Sequence, residues 1–408
     1  MKPKLNEKNP LLRNLPLLEW SSNFFDKVDL QNCLIICVQH LYTTTYNMFT
    51  KAFQKGLKPQ NLFVIGKCYS IDPIVYNQLN EDGVKVSPQS AYFNSYTAYD
   101  EEFDKHINEF FTSIIKKLDL KNFDKVIILD DGGFLIRIAN EILPHTLENI
   151  VGIEQTSAGF NRLSKLNLFF PVINTARSWV KMKYESPIII NLALRKLHEK
   201  IEHLTPRPKN ILIMGYGTLG QIIFSFLKDK YDISYFDANP SRSMFPSKQL
   251  NSRLSHFDLI IGSTGECSLS NQAFKYLKKP VVLASVSSSD REFDSLFLRK
   301  KISQTSNCHT DLCIQGITLL NCGFPVNFDD DYSAIDTDNF QLTRSLIFGA
   351  ICQAYLTNVN TKGFLELDHQ FQQALETELI KDNEYEKTDH FHNRGLKRAR
   401  ESSSEKIH

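Results

Sequence analysis

Short apolar runs alternate with longer segments of helical spacing along the first half of this chain. A run that is apolar throughout predicts a buried strand, because a strand covered on both faces has no polar side. The run at residues 33–38 is of this kind, and mainly apolar runs at residues 61–65, 126–129, 150–153 and 170–174 also predict strands. Between them, apolar side chains recur every three or four positions, as at residues 43–55 and 101–118. The alternation predicts an α/β fold with a parallel sheet covered by helices.

The alternation resumes near residue 210 and predicts a second parallel sheet. Strands are predicted at residues 211–214, 233–236, 258–261 and 280–284, and a hairpin at residues 311–320. We therefore expect two doubly wound parallel-sheet domains. Beyond them the spacing predicts helices at residues 339–355 and 364–380. The polar residues 383–408 predict a flexible tail, whose basic cluster at residues 394–400 fits either a solvated segment or a site for an anionic partner.

The second sheet begins with a glycine pattern typical of dinucleotide binding. Gly215, Gly217 and Gly220 form G-x-G-x-x-G after an apolar strand, a helical segment follows, and Asp237 ends the next strand. The first glycine permits a tight turn, the second lets a pyrophosphate approach, and the third lets the helix pack against the strand. The acid is placed to bind a ribose diol, which favours NAD over NADP. A glycine-rich turn in any α/β fold is the alternative.

Two side chains stand out at the predicted strand ends of the first sheet. Ligands of parallel sheets bind beyond the carboxyl ends of the strands. His40 follows the strand at residues 33–38, and Asp131 follows the strand at residues 126–129. Both are candidate site residues for that reason. His40 could instead be a hydrogen-bonded histidine at a strand end, and Asp131 could cap the turn before the next helix.

Composition narrows the class of protein. The 408 residues are 42% hydrophobic with a net charge of +1, so no global field favours nucleic acid or an acidic membrane surface. We see no secretory signal and no apolar stretch long enough to span a bilayer. The eight cysteines form no C-x-x-C pair. They predict buried free thiols in a cytoplasmic protein, without a zinc or other metal site.

Several motifs, taken in order, resemble those of the adenosylhomocysteinase family. Residues 126–133, V-I-I-L-D-D-G-G, are similar to its I-L-D-D-G-G segment, and residues 152–159, G-I-E-Q-T-S-A-G, to its S-E-E-T-T-T-G segment. Residues 173–183 are similar to its I-N-x-x-x-S-x-x-K-x-K segment, and G-Y-G-T-L-G at residues 215–220 to its G-Y-G-x-x-G. Asn321 ahead of Gly323 resembles its N-L-G. The resemblance extends from about residue 33 to residue 355.

The resemblance implies a Rossmann NAD-binding domain inserted in a substrate domain. Residues 1–186 would form the first part of the substrate domain, residues 187–324 the NAD-binding domain, and residues 325–382 the return to the substrate domain. Helices at residues 187–203 and 339–357 would act as hinges. The family also implies tightly held NAD, a nucleoside-like small-molecule substrate and a homo-oligomer, usually a tetramer.

In that family, NAD oxidises the ribose 3′-hydroxyl of S-adenosylhomocysteine, homocysteine leaves, water adds, and the ketone is reduced again. The resemblance implies that His40, Asp131 and Lys181 are catalytic and that Gln155 and Glu185 bind substrate. Lys181 could instead be a solvated surface charge. The remaining residues implied by the motifs and by the glycine pattern would bind NAD: Thr156, Ser157, Gly215, Tyr216, Gly217, Thr218, Leu219, Gly220, Asp237, Ser263, Thr264, Gly265 and Asn321.

The sequence differs from the adenosylhomocysteinase motifs mainly at positions that, in that family, act on the substrate. Gln155 stands where the family has an acid, Ala158 replaces a threonine, and Ile190 falls near an expected cysteine. Residues 285–289 and 323–328 contain no histidine where the family has one in each segment. Three functions stay open: a divergent NAD enzyme that oxidises a hydroxyl of a nucleoside-like ligand, true adenosylhomocysteine hydrolysis, and a non-catalytic NAD-binding regulator.

Overall fold

The computed structural model describes residues 9–287, 289–332 and 338–381. The predicted tail at residues 383–408, with its basic cluster, lies outside the described residues. Two mainly parallel sheets with helices on both faces make up the described fold, so the predicted α/β class with two parallel-sheet units is confirmed.

The strands follow the predicted runs closely. In chain order they are β1 Cys33–Val38, β2 Leu62–Ile65, β3 Lys85–Val86, β4 Lys125–Asp130, β5 Ile150–Glu154, β6 Pro171–Asn174, β7 Asn210–Met214, β8 Asp232–Phe236, β9 Leu259–Gly262, β10 Val281–Ser285, β11 Leu312–Ile314, β12 Ile317–Leu319 and β13 Gly363–Glu366.

The first sheet has seven strands in the order β13-β6-β5-β4-β1-β2-β3, and every neighbouring pair is parallel. The second sheet has six strands in the order β11-β12-β10-β9-β7-β8, with only the β11–β12 hairpin antiparallel. The strands of the second sheet all lie between β6 and β13 in the chain. The second sheet is therefore inserted into the first.

Helices cover both sheets. They are α1 Pro16–Phe24, α2 Thr43–Gln54, α3 Pro73–Glu81, α4 Tyr99–Ile115, α5 Phe134–Ile142, α6 Ser157–Leu163, α7 Ser186–His203, α8 Thr218–Leu227, α9 Leu250–Arg253, α10 Ser295–Arg299, α11 Gln341–Leu356 and α12, which begins at residue 369 and is described to residue 381. Most side chains of α11 are buried against α1, α2, β4 and β5, and α7 packs on α8.

The predicted helix at residues 364–380 was wrong at its start. Residues 363–366 form β13, which adds to the edge of the first sheet beside β6, and the Phe364 ring lies 4.7 Å from that of Phe160. The spacing of apolar residues within this segment cannot reveal that β6, far away in the sequence, has a free edge. The helix begins only at residue 369, where the Asp368 carboxylate accepts the backbone N–H of Phe371 at 2.6 Å. This acid is a typical N-cap and marks the start in the sequence.

The cysteine prediction was wrong in part. All eight are free thiols, but Cys267 and Cys313 are exposed and Cys68 is half-buried. Cys313 lies on β11, an edge strand on which alternate side chains face away from the core, so an apolar run there does not ensure burial. Within the described residues, no helix is both long and apolar enough to cross a membrane.

An apolar and ionic junction joins the two sheets. Phe324, after β12, is fully buried, and its ring contacts Tyr69, Phe93 and Tyr99 of the first unit at centroid distances of 4.9, 5.5 and 5.2 Å. Beside it lies the fully buried Arg299.

The Arg299 guanidinium connects both units through charge-assisted hydrogen bonds. It donates to the carbonyls of Ser95, Thr97 and Cys322 at 2.9, 2.8 and 3.0 Å, and it pairs with the Asp290 carboxylate at 2.7 Å. The first two carbonyls belong to the first unit and the third to the second unit. The carboxyl edges of the two sheets are thus held face to face.

Replacing Arg299 with methionine leaves the Asp290 carboxylate and three carbonyls without their donor. Removal of one partner of a buried ion pair costs about 3–5 kcal/mol, so we expect Arg299→Met to lower the free energy of unfolding by that amount. Chemical denaturation measures it. Arg253, an exposed arginine stacked on Phe245, is the matched control. Arg253→Met should change stability by less than about 0.5 kcal/mol. Equal stability of the two variants would contradict this account.

Candidate functional site

Five strands of the first sheet end at one cavity of about 380 Å³. The residues after β1, β2, β4, β5 and β6 supply the main polar groups of its floor, because the carboxyl ends of parallel strands share an edge. In strand order these groups are His40, Lys67, Asp131, Gln155 and Lys181. On the side of the second sheet, Ser289 and Arg291, which follow β10, line the cavity. Residues 327–328, between β12 and α11, line it as well.

The Asp131 carboxylate is the centre of the polar floor. One oxygen pairs with the Lys67 ammonium. The other accepts the Gln155 side-chain amide at 2.5 Å and lies 3.4 Å from Nε2 of His40. Gln155 in turn accepts the Gln39 amide at 2.8 Å. Because the Gln155 amide donates to Asp131, it stabilises the ionised form of this carboxylate.

These contacts set the charges of the floor. Burial raises the pKa of Asp131, but the Lys67 ammonium, His40 and Gln155 outweigh burial and hold the pKa well below its usual range. Burial lowers the pKa of His40 to about 3, since Asp131 only partly offsets burial and the cations Lys67 and Arg344 oppose protonation. At neutral pH the floor therefore holds an ionised Asp131 beside a neutral imidazole.

The neutral imidazole of His40 is fixed on several sides. Its Nδ1 lies 2.5 Å from the Ser70 hydroxyl. Its ring stacks on Phe328 at 5.2 Å and faces Tyr42 at 6.2 Å, nearly parallel to both. Because the Ser70 hydroxyl donates to the Lys67 carbonyl at 3.2 Å, Nδ1 of His40 donates to Ser70, and Nε2 faces Asp131 without a proton. A proton that the pair takes up or releases would then lie between Nε2 of His40 and the Asp131 carboxylate.

Lys67 is a polar group of the floor that the sequence analysis did not identify. It follows β2 as His40 follows β1, so its position at a strand end was the available signal. Lys67 is buried despite its charge, and a buried ammonium needs a carboxylate partner, which Asp131 supplies.

Lys181 and Glu185 form a second ion pair at the cavity. They lie one turn apart on the π-helical segment Lys181–Glu185, with Nζ and Oε2 3.3 Å apart. The Lys181 ammonium also donates to the Gln155 carbonyl at 2.5 Å. The Thr343 hydroxyl donates to Glu185, which is buried. Lys181 is thus fixed at the cavity, and the alternative of a solvated surface lysine does not apply.

Two more carboxyls lie behind the floor, at neighbouring register positions of β4 and β5. Burial raises the pKa of Asp130 to about 6 and that of Glu154 well above its usual range. Glu154 accepts both the backbone N–H and the hydroxyl of Thr156 at 2.7 Å. Thr156 in turn caps α6 by accepting the Gly159 N–H. Thr156 lines the cavity, and the next residue, Ser157, is exposed at the start of α6.

The glycine-rich turn has the predicted backbone geometry. Gly215 has φ +94°, and a Cβ there would lie 2.8 Å from the Thr264 side chain. A Cβ on Gly220 would lie 1.9 Å from the Gly215 carbonyl, so only glycine lets α8 pack this close to β7. A Cβ on Gly217 would meet no atom within 4 Å. The turn is therefore open where a phosphate would approach and closed where helix and strand meet.

The neighbouring residues support this turn. Asp237 accepts the Tyr216 N–H at 2.7 Å and the Asn239 N–H at 2.8 Å. Ser263 donates to the Gly215 carbonyl at 2.9 Å. Thr218 and Leu219 form the first turn of α8, and Gly217 is its N-cap.

Some predicted cofactor residues already have partners within the protein. The backbone N–H groups of Thr264 and Gly265 both donate to the buried Glu292 carboxylate. The Asn321 amide donates to the carbonyls of Pro325 and Phe328 at 3.3 and 3.1 Å and accepts from Lys200 at 3.3 Å. Glu292 was not predicted as part of the site; it carries no motif signal.

The predicted catalytic and substrate-binding residues lie together at the cavity, whereas the glycine-rich turn lies outside its lining. His40, Asp131, Lys181, Gln155, Glu185 and Thr156 all line the cavity. The glycine-rich turn and Asp237 lie on the second sheet at the carboxyl ends of β7 and β8, and they are not among the described residues that line the cavity.

Fold and site define an α/β protein with two parallel sheets facing one polar cavity. Among solved structures it is similar to dipicolinate synthase from Bacillus halodurans, with TM-score 0.39, 12% identity and coverage of 81% of this chain and 99% of that one. NAD+-bound 3-phosphoglycerate dehydrogenase of Entamoeba histolytica gives TM-score 0.35, 11% identity and coverage of 82% and 100%. Similarities of this size do not establish a shared fold.

The sequence is similar to the uncharacterized protein Rv0104 of Mycobacterium tuberculosis, strain H37Rv, at 36% identity over 331 residues. The uncharacterized protein MT0113 of strain CDC 1551 matches equally. The alignment covers 80% of this chain and 65% of each relative, so the chain spans just under two-thirds of the length of these curated relatives. No protein-family model matches the chain.

The depressed pKa of His40 predicts a pH dependence of stability. The unfolded chain takes up a proton at His40 near pH 6.5, whereas the folded protein resists it down to about 3. Folding therefore loses stability through His40 as pH falls within that window. Relative to His40→Asn, the wild type should lose up to about 1.4 kcal/mol per pH unit between pH 6 and pH 4.

Denaturation at several pH values measures this difference. His256, which is exposed and contacts the Arg253 carbonyl, gives the control variant His256→Asn. A constant difference between wild type and His40→Asn across the window would show that His40 titrates normally in the folded state.

Proposed function

We propose that this protein binds NAD and uses it to oxidise a hydroxyl group of a nucleoside-like ligand held in the cavity, as a divergent relative of adenosylhomocysteinase. The observation that carries the proposal is the meeting of His40, Lys67, Asp131 and Lys181 at one cavity below a second sheet with a glycine-rich turn. We further propose the domain division at residues 186 and 324, a cytoplasmic location and a homo-oligomer, as in the family.

The residues around the glycine-rich turn fit a dinucleotide. The open space in front of Gly217 and the α8 N-terminus suit a pyrophosphate, since helix N–H groups favour anions. Asp237 would bind the adenosine ribose. Tyr216, Ser263 and the first turn of α8 would line the same site, and Thr156 and Ser157 would contact NAD from the first sheet. When bound, NAD supplies a hydride acceptor.

The cavity residues supply the matching proton chemistry. Oxidation of a hydroxyl releases a hydride from carbon and a proton from oxygen. The Lys181 ammonium would donate a hydrogen bond to the hydroxyl oxygen. The neutral His40 and ionised Asp131 would take the proton. Gln155 and Glu185 would hold neighbouring hydroxyls.

Full hydrolysis of S-adenosylhomocysteine is the second candidate function. The order of motifs and the position of Lys181 against Glu185 favour it. Against it stand Gln155 and the missing histidines, because an amide cannot accept a proton. Release of homocysteine from S-adenosylhomocysteine would select this function over oxidation alone.

The proposed chemistry predicts which substitutions abolish hydride transfer. NAD-loaded wild-type protein should form NADH on addition of adenosine, seen by absorbance. Asp131→Asn and Lys181→Met should each lower the rate roughly 10²–10⁴-fold, as loss of a group that handles the proton does. Lys183→Met is the control, since Lys183 is exposed and pairs with Glu376. Equal rates in all four proteins would contradict these roles.

The variant Gly217→Ala tests NAD binding without a change in the stability of the fold. Its Cβ would meet no protein atom, so the variant should unfold at the wild-type temperature. The methyl group would face the pyrophosphate, and we expect NAD affinity to fall about ten-fold or more by calorimetric titration. Gly220→Ala, which places a Cβ against the Gly215 carbonyl, should lose both stability and binding. Undiminished NAD binding by Gly217→Ala would place the dinucleotide elsewhere.

A further inference from the structure

We propose that Cys68 and Cys308 form a redox-active thiol pair, which hydrogen peroxide oxidises to a disulfide that joins the two parallel-sheet units. The disulfide is a reversible modification of the protein itself. The pair needs neither NAD nor a ligand of the cavity, so it stands apart from the proposed function.

The two cysteines meet at the junction between the units although they lie 240 positions apart in the chain. Cys68 follows β2 of the first sheet, and Cys308 lies between α10 and β11 of the second unit. The Cys308 Sγ is 3.5 Å from the Cys68 carbonyl oxygen. The Cys68 thiol also hydrogen-bonds to the Cys308 sulfur, so the two sulfur atoms are neighbours. A disulfide, with its sulfur atoms about 2 Å apart, therefore requires only small rotations of the two side chains.

The surroundings of Cys308 favour its thiolate, which is the form that attacks a peroxide. The hydrogen bond from Cys68 outweighs burial and, together with His309, lowers the pKa of Cys308 to about 6. Burial lowers the pKa of His309, but Cys308, the Phe328 carbonyl and Asp330 outweigh burial and raise it. Nδ1 of His309 lies 3.1 Å from that carbonyl oxygen, which fixes the ring. Cys308 is thus the thiol that a peroxide oxidises first.

Cys68 has the properties of the second thiol of such a pair. Burial and then Cys308 raise the pKa of Cys68 well above its usual range, so Cys68 keeps its proton while Cys308 is a thiolate. Cys68 is half-buried, whereas Cys308 is buried, so a small peroxide reaches the pair from the Cys68 side. Within the described residues, no group of three histidine, cysteine or acidic side chains could hold a metal ion. The thiols are therefore not explained as metal ligands.

The other titratable groups around the pair do not compete with Cys308 at neutral pH. Asp290 and Arg299, which act on Cys68, form the buried ion pair of the junction. Burial raises the pKa of Cys322 to about 12 and also raises the pKa of Tyr332. Burial likewise raises the pKa values of Tyr69 and Tyr99 beside Cys68.

The oxidation balances in atoms and electrons. The Cys308 thiolate attacks one oxygen of hydrogen peroxide, the O–O bond breaks, and the hydroxide that leaves takes up a proton to give water. The Cys68 sulfur then loses its proton and attacks the sulfenic acid on Cys308. The S–S bond forms as the S–O bond breaks, and a second water leaves. Two thiols have lost two electrons, and one peroxide has gained them. A dithiol reductant reverses the modification.

The disulfide would tie the second unit to a loop that contacts the cavity floor. The residue before Cys68 is Lys67, which pairs with Asp131. Two residues after Cys68 is Ser70, whose hydroxyl contacts His40. Oxidation would therefore restrain the segment that holds both of these contacts.

Peptide mapping of the full-length protein is the test. The reduced protein is freed of reductant, treated with a few equivalents of hydrogen peroxide, alkylated in denaturant and digested without reductant. Mass spectrometry should find a disulfide-linked peptide pair that contains Cys68 and Cys308 and that dithiothreitol separates. Cys313→Ser, at an exposed thiol of β11, is the control and should form the same pair.

Two variants assign the order of the steps. Cys68→Ser should leave a sulfenic acid on Cys308, which dimedone traps. Cys308→Ser should leave Cys68 reduced, because Cys68 lacks the thiolate. In the wild type, the rate of disulfide formation at fixed peroxide should rise with pH through a midpoint at about 6, whereas an ordinary thiol gives a midpoint of about 8.5.

The map of the wild type decides the matter even if a variant fails to fold. Failure of the Cys68–Cys308 pair to form, or a link from Cys308 to Cys322 in its place, would overturn the proposed disulfide. A midpoint of about 8.5 would overturn the role of Cys308 as the reactive thiolate. NADH formation is measured without peroxide, so failure of the thiol pair and failure of the proposed oxidation are separate results.

Discussion

The buried ion pair of Lys67 and Asp131 is the interaction on which the candidate site depends. Burial disfavours both charges, and each is stable only because the other is present. The pair keeps Asp131 ionised. Burial keeps His40 neutral by lowering its pKa, and Asp131 only partly offsets this effect. Gln155 fits this arrangement better than an acid would, because its amide donates to Asp131 where a second carboxylate would repel it. Gln155 and Lys67 therefore both stabilise the ionised Asp131 carboxylate.

The position of the site follows from the junction between the sheets. Parallel strands bring five polar residues of the first sheet to one edge, and the Phe324 cluster and Arg299 hold the second sheet over that edge. The arrangement leaves the glycine-rich turn at the second sheet and His40, Asp131 and Lys181 at the first. Hydride acceptor and proton acceptor would thus come from different units.

Much of this could be predicted from the sequence. The buried strands are visible as apolar runs, and the strand ends identify His40 and Asp131. The glycine spacing predicts the tight turn at Gly215, where φ is positive, and the close packing at Gly220. The rest depends on contacts between distant residues. Lys67 gains its role only through Asp131, 64 positions later. Strand β13 forms only because β6 has a free edge, and Arg291 reaches the cavity from a different sheet.

The central claim is that this protein holds NAD for redox chemistry on a hydroxyl. Mass spectrometry of the small molecules released on denaturing the purified protein, before and after incubation with NAD, tests it most directly. The account predicts NAD or NADH in near-equal amount to the protein, and its loss in Gly220→Ala. Finding no dinucleotide in either sample would contradict the account.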